Sequence, residues 1–276
     1  LAGTAVTNLL IQDGITILSV GVGTTDLNTI INRNNLSGNV VVNRTLDIES
    51  GEILRLGSTG AIWNQSGTLA IGSANNVGTL TAGGGFGLAG ELILNNGGSD
   101  VLLRSSISDN GAGAVTFVKV GTGQLILSGT NTHSGGSIFL LGRSRVDSAG
   151  GLGSGPVTVK AGGTLWLNSA SIFTNDFYLE GTGYGENNIP GAIRLSSSNT
   201  IGTSSSNIFL TGDTRIGAVN TGTTNFNTLA GRITGDFALD LSGGAGGSNI
   251  IVIANTGNDF TGNLSLNTNM NATTAF

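Results

Sequence analysis

Apolar residues along this chain come in short bursts in which every second position is Leu, Ile or Val, and Gly, Asn or Ser closes each burst. GELIL over 90–94, GQLIL over 123–127, GPVTV over 155–159 and GTLWL over 163–167 are of this kind. Alternation with a period of two sends successive side chains to opposite faces, so these segments predict β-strands with one buried face. In TLDIE over 45–49, Leu46 and Ile48 share a face that goes inward, while Asp47 and Glu49 share the face that goes to water. No window of a dozen residues sustains helical spacing, and glycine every few positions would cost about 1 kcal/mol each in a helix interior. TDLNTII over 25–31 alone admits, as the less favoured alternative, a short helical turn capped by Thr25.

Many short strands separated by turns suit a sandwich, a barrel, a propeller or a solenoid, and internal repetition decides among them. NTGNDFTGNLSL over 255–266 repeats the logic of SGTNTHSGGSIF over 128–139, with Asn258, Phe260, Thr261 and Gly262 matching Asn131, His133, Ser134 and Gly135. Strand–turn–strand units also recur over 57–71 and 78–94. Irregular repetition of single strands fits a solenoid whose coils touch only their neighbours. The expected fold is all-β, a right-handed parallel β-helix, with residues 1–276 forming a single β-helical segment. At about twenty to twenty-five residues per coil the chain makes about a dozen coils, and at about 4.8 Å per coil these form a rod roughly 55 to 60 Å long.

The best-defined repeat covers 111–167 and a weaker one covers 243–266. The former holds Lys119 before Gly121 and Gly123, the strand residues Leu125 and Leu127, then Ser128, Gly129, Asn131, Thr132, Gly135 and Gly136. Leu152, Gly153, Val157, Val159, Ala161, Gly162, Gly163, Leu165 and Leu167 complete it. This pattern resembles the passenger-associated transport repeat of bacterial autotransporters, with His133 standing where that family prefers Tyr or Phe. The resemblance implies a parallel β-helix that is part of a longer exported protein, located outside the cell or on the outer-membrane surface of a bacterium. It also implies an export barrel, in the same chain or a separate one.

Composition agrees. Charged residues are 10% of the chain and Gly fills 48 of 276 positions, against roughly 25% and 7% in ordinary domains. With 38% hydrophobic residues the chain has enough apolar surface to offset the ordering of its backbone, so it folds. There is no cysteine, so coil stacking rather than disulfides must hold it together. A net charge of −5 with 11 basic residues argues against nucleic acid as a partner. The sequence starts at Leu1 without a signal-peptide pattern and reads as a mature product or a fragment.

Candidate chemistry is thin. His133 is the sole histidine, so any histidine-dependent nucleophilic mechanism must use it. No acid or nucleophile partner is evident beside it, and its place in the repeat predicts a ring packed over glycine backbone. Asp47, Glu49 and Glu52 form one carboxylate group, and Asp236 and Asp240 another. Asp47 and Glu49 would lie about 7 Å apart, a glycosidase-like separation, yet a solvated outer face explains the same pair. GGSDVL over 97–102 echoes part of a calcium-binding nonapeptide, but it occurs once and reads as a turn. Gly121–Gly123 and Gly181–Gly183 open no helix and precede no P-loop lysine, so they do not predict a phosphate site. The glycosylation triplets at Asn43 and Asn64 arise from an Asn- and Ser-rich composition.

No catalytic, cofactor-binding or metal-ligating residue is therefore assigned. The expected function is non-enzymatic: a surface or secreted passenger serving as stalk, adhesin, or matrix or filament subunit. Its expected partners are glycan or cell-surface ligands and other copies of itself, meeting end to end or side by side. The rival expectation is a β-helical polysaccharide lyase or hydrolase, or a phage-type depolymerase.

Overall fold

The computed structural model describes residues 8–11, 17–20, 23–33, 43–97, 99–185, 191–219, 226–244, 249–267 and 270–274. Among them every regular element is a β-strand, and the strand ladders are parallel. Contacts divide the chain into two compact units, residues 1–137 with 150–154, and residues 138–149 with 155–276.

In the first unit three columns of strands run through successive coils. One holds Asn8–Ile11, Thr29–Asn32, Thr59–Asn64, Gly90–Asn96 and Val115–Val120. A second holds Ile17–Val20, Arg44–Ile48, Leu69–Ile71, Val101–Leu103 and Leu125–Leu127. The third holds Thr24–Asp26, Ile53–Leu56, Thr79–Ala82 and Ser106–Ile107. Period-two alternation delivers one residue type to each inner row. Leu46, Ile71, Leu103 and Leu127 are in register and fully buried, as are Leu54, Leu80 and Ile107 in the third column. Each buried aliphatic contributes about 1.5–3 kcal/mol, and no coil buries its own face without its neighbours.

The second unit repeats this plan. Val157, Phe177, Ile208 and Ile233 form one inner row. Leu165, Ile193, Ile216 and Leu241 form another, and Phe173, Ile201, Leu229 and Ile253 a third. The strand Val157–Leu167 serves two columns by turning a corner, its first residues pairing with Phe177–Leu179 and its last with Ile193–Leu195. The small residues Ala161, Gly162 and Gly163 sit at that corner.

One alternative is excluded and one expectation needs correction. Residues 25–31 form no helical turn: Thr24–Asp26 and Thr29–Asn32 are strands. Leu27 and Ile30 are both buried, and their helix-like spacing arises because the chain bends between two inward-facing positions. The advance per coil is also less uniform than twenty to twenty-five residues. Val157 and Phe177 are 20 apart, whereas Asn32 and Asn64 are 32 apart, because the turns between strands differ in length.

The longer advance aligns a ladder of asparagines inside the first unit. Asn32 Nδ2 donates to Asn64 Oδ1 at 2.7 Å, and Asn64 Nδ2 donates to Asn96 Oδ1 at 3.0 Å. Asn96 Nδ2 passes its hydrogens to the carbonyls of Ser99 and Gln124, both at 2.8 Å. At the other end the buried Arg44 Nη1 donates to Asn32 Oδ1 at 3.0 Å. Each amide thus uses both its functions where water is absent, the condition for burying polar groups at low cost.

Candidate functional site

Lys119, Asn131 and His133, the distinctive residues of the 111–167 repeat, all lie in the first unit. Lys119 occupies an inner slot, in register with Leu94, and is fully buried. Its ammonium donates to the carbonyls of Val120 at 3.0 Å and Gly121 at 2.7 Å. Burial lowers its pKa to about 8. The lysine that precedes Gly-x-Gly is thus a clamp on the turn that follows it. Gly121 lies at φ +83°, and a Cβ there would stand 2.4 Å from the carbonyl oxygen of Asn96, so only glycine lets these coils approach.

Asn131 holds the next turn. Its Oδ1 accepts from the Ile107 N–H at 2.8 Å and its Nδ2 donates to the Gly151 carbonyl at 2.6 Å. In the second unit Asn258 repeats the first of these contacts, its Oδ1 accepting from the Ile233 N–H at 2.7 Å. The sequence match between the two asparagines therefore corresponds to one local role. Asp109 braces the turn from outside, accepting from the Val115 and Ser134 N–H groups at 2.9 Å each. Burial raises its pKa, but these bonds outweigh that effect and hold the carboxyl below its ordinary value.

His133 is fully buried. Its ring stands edge-on to Phe117, with centroids 6.4 Å apart, and presses on Gly153, where a Cβ would lie 2.6 Å from Cε1. Gly153 sits at φ +72°, so both its backbone and its surroundings demand glycine. One partner was not evident in the sequence: His133 Nε2 lies 2.9 Å from Ser137 Oγ. Ser137 donates its hydroxyl hydrogen to the Leu152 carbonyl at 3.0 Å, which makes the imidazole the donor between the two. A histidine acting as base on a serine nucleophile needs the reverse arrangement, and both side chains are sealed from solvent. Burial lowers the His133 pKa to about 4, against the opposing influence of Asp109 and the Ile107 backbone. The ring is neutral at physiological pH and acts as a packing group.

Three of the five candidate carboxylates, Asp47, Asp236 and Asp240, are engaged by neighbouring groups. Asp47 Oδ1 accepts from the Ser73 N–H at 3.1 Å, and Glu49 is exposed beyond the end of its strand. Glu52 follows in the turn closed by its own N–H on the Glu49 carbonyl at 3.0 Å. Asp236 accepts from the Thr261 hydroxyl at 2.8 Å, and Asp240 is ion-paired to Arg215 at 2.6 Å. Among the described residues no three His, Cys, Asp or Glu side chains are grouped to hold a metal ion. Residues 97–100 connect Gly90–Asn96 to Val101–Leu103, Gly98 lying outside the described residues. Asn64 of the glycosylation triplet is buried in the asparagine ladder.

The second unit carries a cluster that sequence reasoning missed. Arg194, Arg145 and Arg143 place their guanidinium carbons 4.3, 5.4 and 5.5 Å from the Trp166 ring centroid, within cation–π range. Trp166 Nε1 donates to Ser196 Oγ at 2.7 Å, and Arg145 grips Asp147 at 2.6 Å. The contacts of Trp166 tie neighbouring coils together.

A stretch of 96 residues, 34% of this chain, is 36% identical to the adhesin BmaC autotransporter of Brucella suis biovar 1 (strain 1330). It covers 3% of that protein, so the chain spans a small part of the relative's length. No family model and no solved structure matches the chain.

The unforeseen features had different visibility in the sequence. Asn32, Asn64 and Asn96 recur every 32 residues, a signal open to a search for single-residue periodicity. The convergence on Trp166 had none, because Arg143, Arg145 and Arg194 come together only through the stacking of coils.

Proposed function

We propose that this chain is a segment of a non-enzymatic autotransporter passenger, displayed on the outer surface of a bacterium as an adhesive stalk. The observation that carries the reading is the similarity to an autotransporter adhesin in a chain whose coils form a parallel β-solenoid. Residues 111–167 are read as a passenger-associated transport repeat. Lys119 clamping its turn, Asn131 bridging coils and Gly153 beneath the His133 ring support that reading. The engagement of Asp47 by a backbone N–H, of Asp236 by a hydroxyl and of Asp240 in an ion pair supports a scaffold over a hydrolase. Such a passenger reaches the surface through an outer-membrane barrel, and its Asn, Ser and Thr exterior suits weak, multivalent contact with glycans.

The test pairs location with activity. Antibodies against this segment should label intact cells producing the full-length protein, and the purified chain should retain binding to target surfaces without degrading uronic-acid or neutral polysaccharides. Cleavage that disappears on substituting Asp47→Asn and Glu49→Gln would sink the reading, as would labelling that requires permeabilised cells.

A further inference from the structure

Asn32, Asn64 and Asn96 point into the first unit, so strand alternation sends the residue on either side of each asparagine to the outer face. One outward row reads Ile31, Trp63 and Asn95, which are in register. A second reads Arg33, Gln65 and Gly97, because the ladder runs on past the strands. There the Gln65 N–H donates to the Asn32 carbonyl at 2.8 Å and the Gly97 N–H to the Asn64 carbonyl at 3.0 Å. Adjacent coils are about 4.8 Å apart and alternate residues about 7 Å apart, so Trp63, Asn95, Gln65 and Arg33 all stand within about 10 Å of Gly97 along the backbone grid. A Cβ at Gly97 would meet nothing within 4 Å, which leaves a gap in the second row, bordered by Gln65 and Asn95.

The fold makes no use of the polar groups around this gap. Trp63 is 43% exposed, and among the described residues its indole N–H and the amides of Gln65 and Asn95 have no hydrogen-bond partner. Trp166, by contrast, is taken up by Arg194 and Ser196. Arg33 forms no ion pair among the described residues, and its Nε is sealed from solvent without an acceptor. Asp100, the acid nearest to Gly97 in sequence, is engaged by Gln124 Nε2 at 3.4 Å. A buried donor left open in a rigid ladder calls for an acceptor from outside the chain.

We propose that Trp63, Gln65, Asn95 and Arg33 form a binding site for an acidic sugar, a uronic or sialic acid unit of a glycan, seated at the gap over Gly97. Each group selects a different part of that ligand. The guanidinium matches a carboxylate, the anion arginine pairs with best. The two amides each offer a donor beside an acceptor, as neighbouring ring hydroxyls require. The indole takes the apolar C–H face of the sugar ring. A lipid phosphate or an acidic peptide side chain would answer the charge and leave the amides and the indole without a counterpart. Strand register fixes all four residues before the ligand arrives, so little ordering is needed on binding. The site is open on one side, so one sugar binds weakly, and affinity builds when many copies engage one glycan. Resting on the adhesive reading above, this site gives its glycan contact a location and a chemistry.

Isothermal titration and saturation-transfer NMR of the purified chain test this, with oligosaccharides ending in glucuronic, galacturonic or sialic acid, each beside its neutral counterpart. At least one acidic probe should bind saturably and about tenfold or more tighter than its neutral form, with the difference shrinking as salt is added. Trp63→Ala should weaken both forms by about tenfold or more. Arg33→Gln should bring the acidic probe down to the level of the neutral one and leave the neutral one unchanged, a split that general damage to the coil would not produce. Both side chains point outward, so the circular dichroism spectrum should not change. Phe86→Ser, at a 79% exposed position elsewhere in the first unit, should bind like the unsubstituted chain. No saturable binding of any acidic probe, undiminished binding by Trp63→Ala, or equal losses of both forms in Arg33→Gln would each overturn the site. Cells that display the segment while the chain binds no acidic probe would overturn the site and leave the adhesive stalk standing; a chain that binds the probe but never reaches the surface would do the reverse.

Discussion

Replacing His133 by Phe isolates the consequence of burying an imidazole in a turn. The folded state holds its pKa at about 4 instead of the ordinary 6.5, so below about pH 6.5 the unfolded chain takes up a proton that the folded chain refuses. The stabilisation from the neutral buried ring is complete above that value and is lost progressively as pH falls from 6.5 to 4. The loss is about 3 kcal/mol, at 1.36 kcal/mol per pKa unit. Phe titrates nowhere in this range. It also gives up the bond to Ser137 Oγ, which keeps its own bond to the Leu152 carbonyl, a change of about 1 kcal/mol that does not depend on pH. Guanidinium unfolding and amide exchange over residues 131–137 should be measured for both proteins at pH 7 and pH 4. The stability of the Phe variant relative to the unsubstituted protein should rise by about 3 kcal/mol between the two conditions, whatever its sign at pH 7. An unchanged difference would show that His133 is solvated or already protonated, and would refute the packing role.

Three further outcomes follow from the same contacts. Asn64→Ala leaves Asn32 and Asn96 without their shared partner and should cost about 2–4 kcal/mol, seen as faster proteolysis of the first unit. Gly153→Ala places a Cβ against the His133 ring in left-handed backbone and should destabilise by about 2 kcal/mol or more; thermal melts check this, with Gly87, also at positive φ but where a Cβ meets nothing within 4 Å, as the milder comparison. Asp109→Ala removes the acceptor of two backbone N–H groups and should cost about 1–3 kcal/mol near neutral pH. Because the Asp109 pKa is depressed below 3.8, that stabilisation should be present above pH 3.8 and fade as pH falls further, which acid titration of the unfolding midpoint would reveal.

Local chemistry made much of this protein legible. Leu46 and Ile48 inward with Asp47 outward, and glycine under the His133 ring, could be read directly because period-two alternation and turn geometry act within a few residues. The helical alternative at 25–31 had the same origin: Leu27 and Ile30, three apart, mimic a helical face when a corner separates two strands. Lys119 was recognised as part of a motif, but its burial was not evident, since an ammonium normally stays in water and only nearby carbonyls at Val120 and Gly121 permit otherwise. Ser137 beside His133 also escaped notice, because hydrogen bonding within a turn depends on how that turn closes.

The sequence by itself determined the strand as the repeating element, the face that the alternating aliphatic side chains take, and the absence of disulfide support. Those properties follow from backbone geometry and composition and need no knowledge of neighbours. Tertiary structure alone decided which strand stacks on which. Closing a longer turn costs only logarithmically more entropy, so coils of 20 and of 32 residues coexist, and no local rule predicts their register. That register brings three asparagines into one buried ladder and three arginines onto one tryptophan.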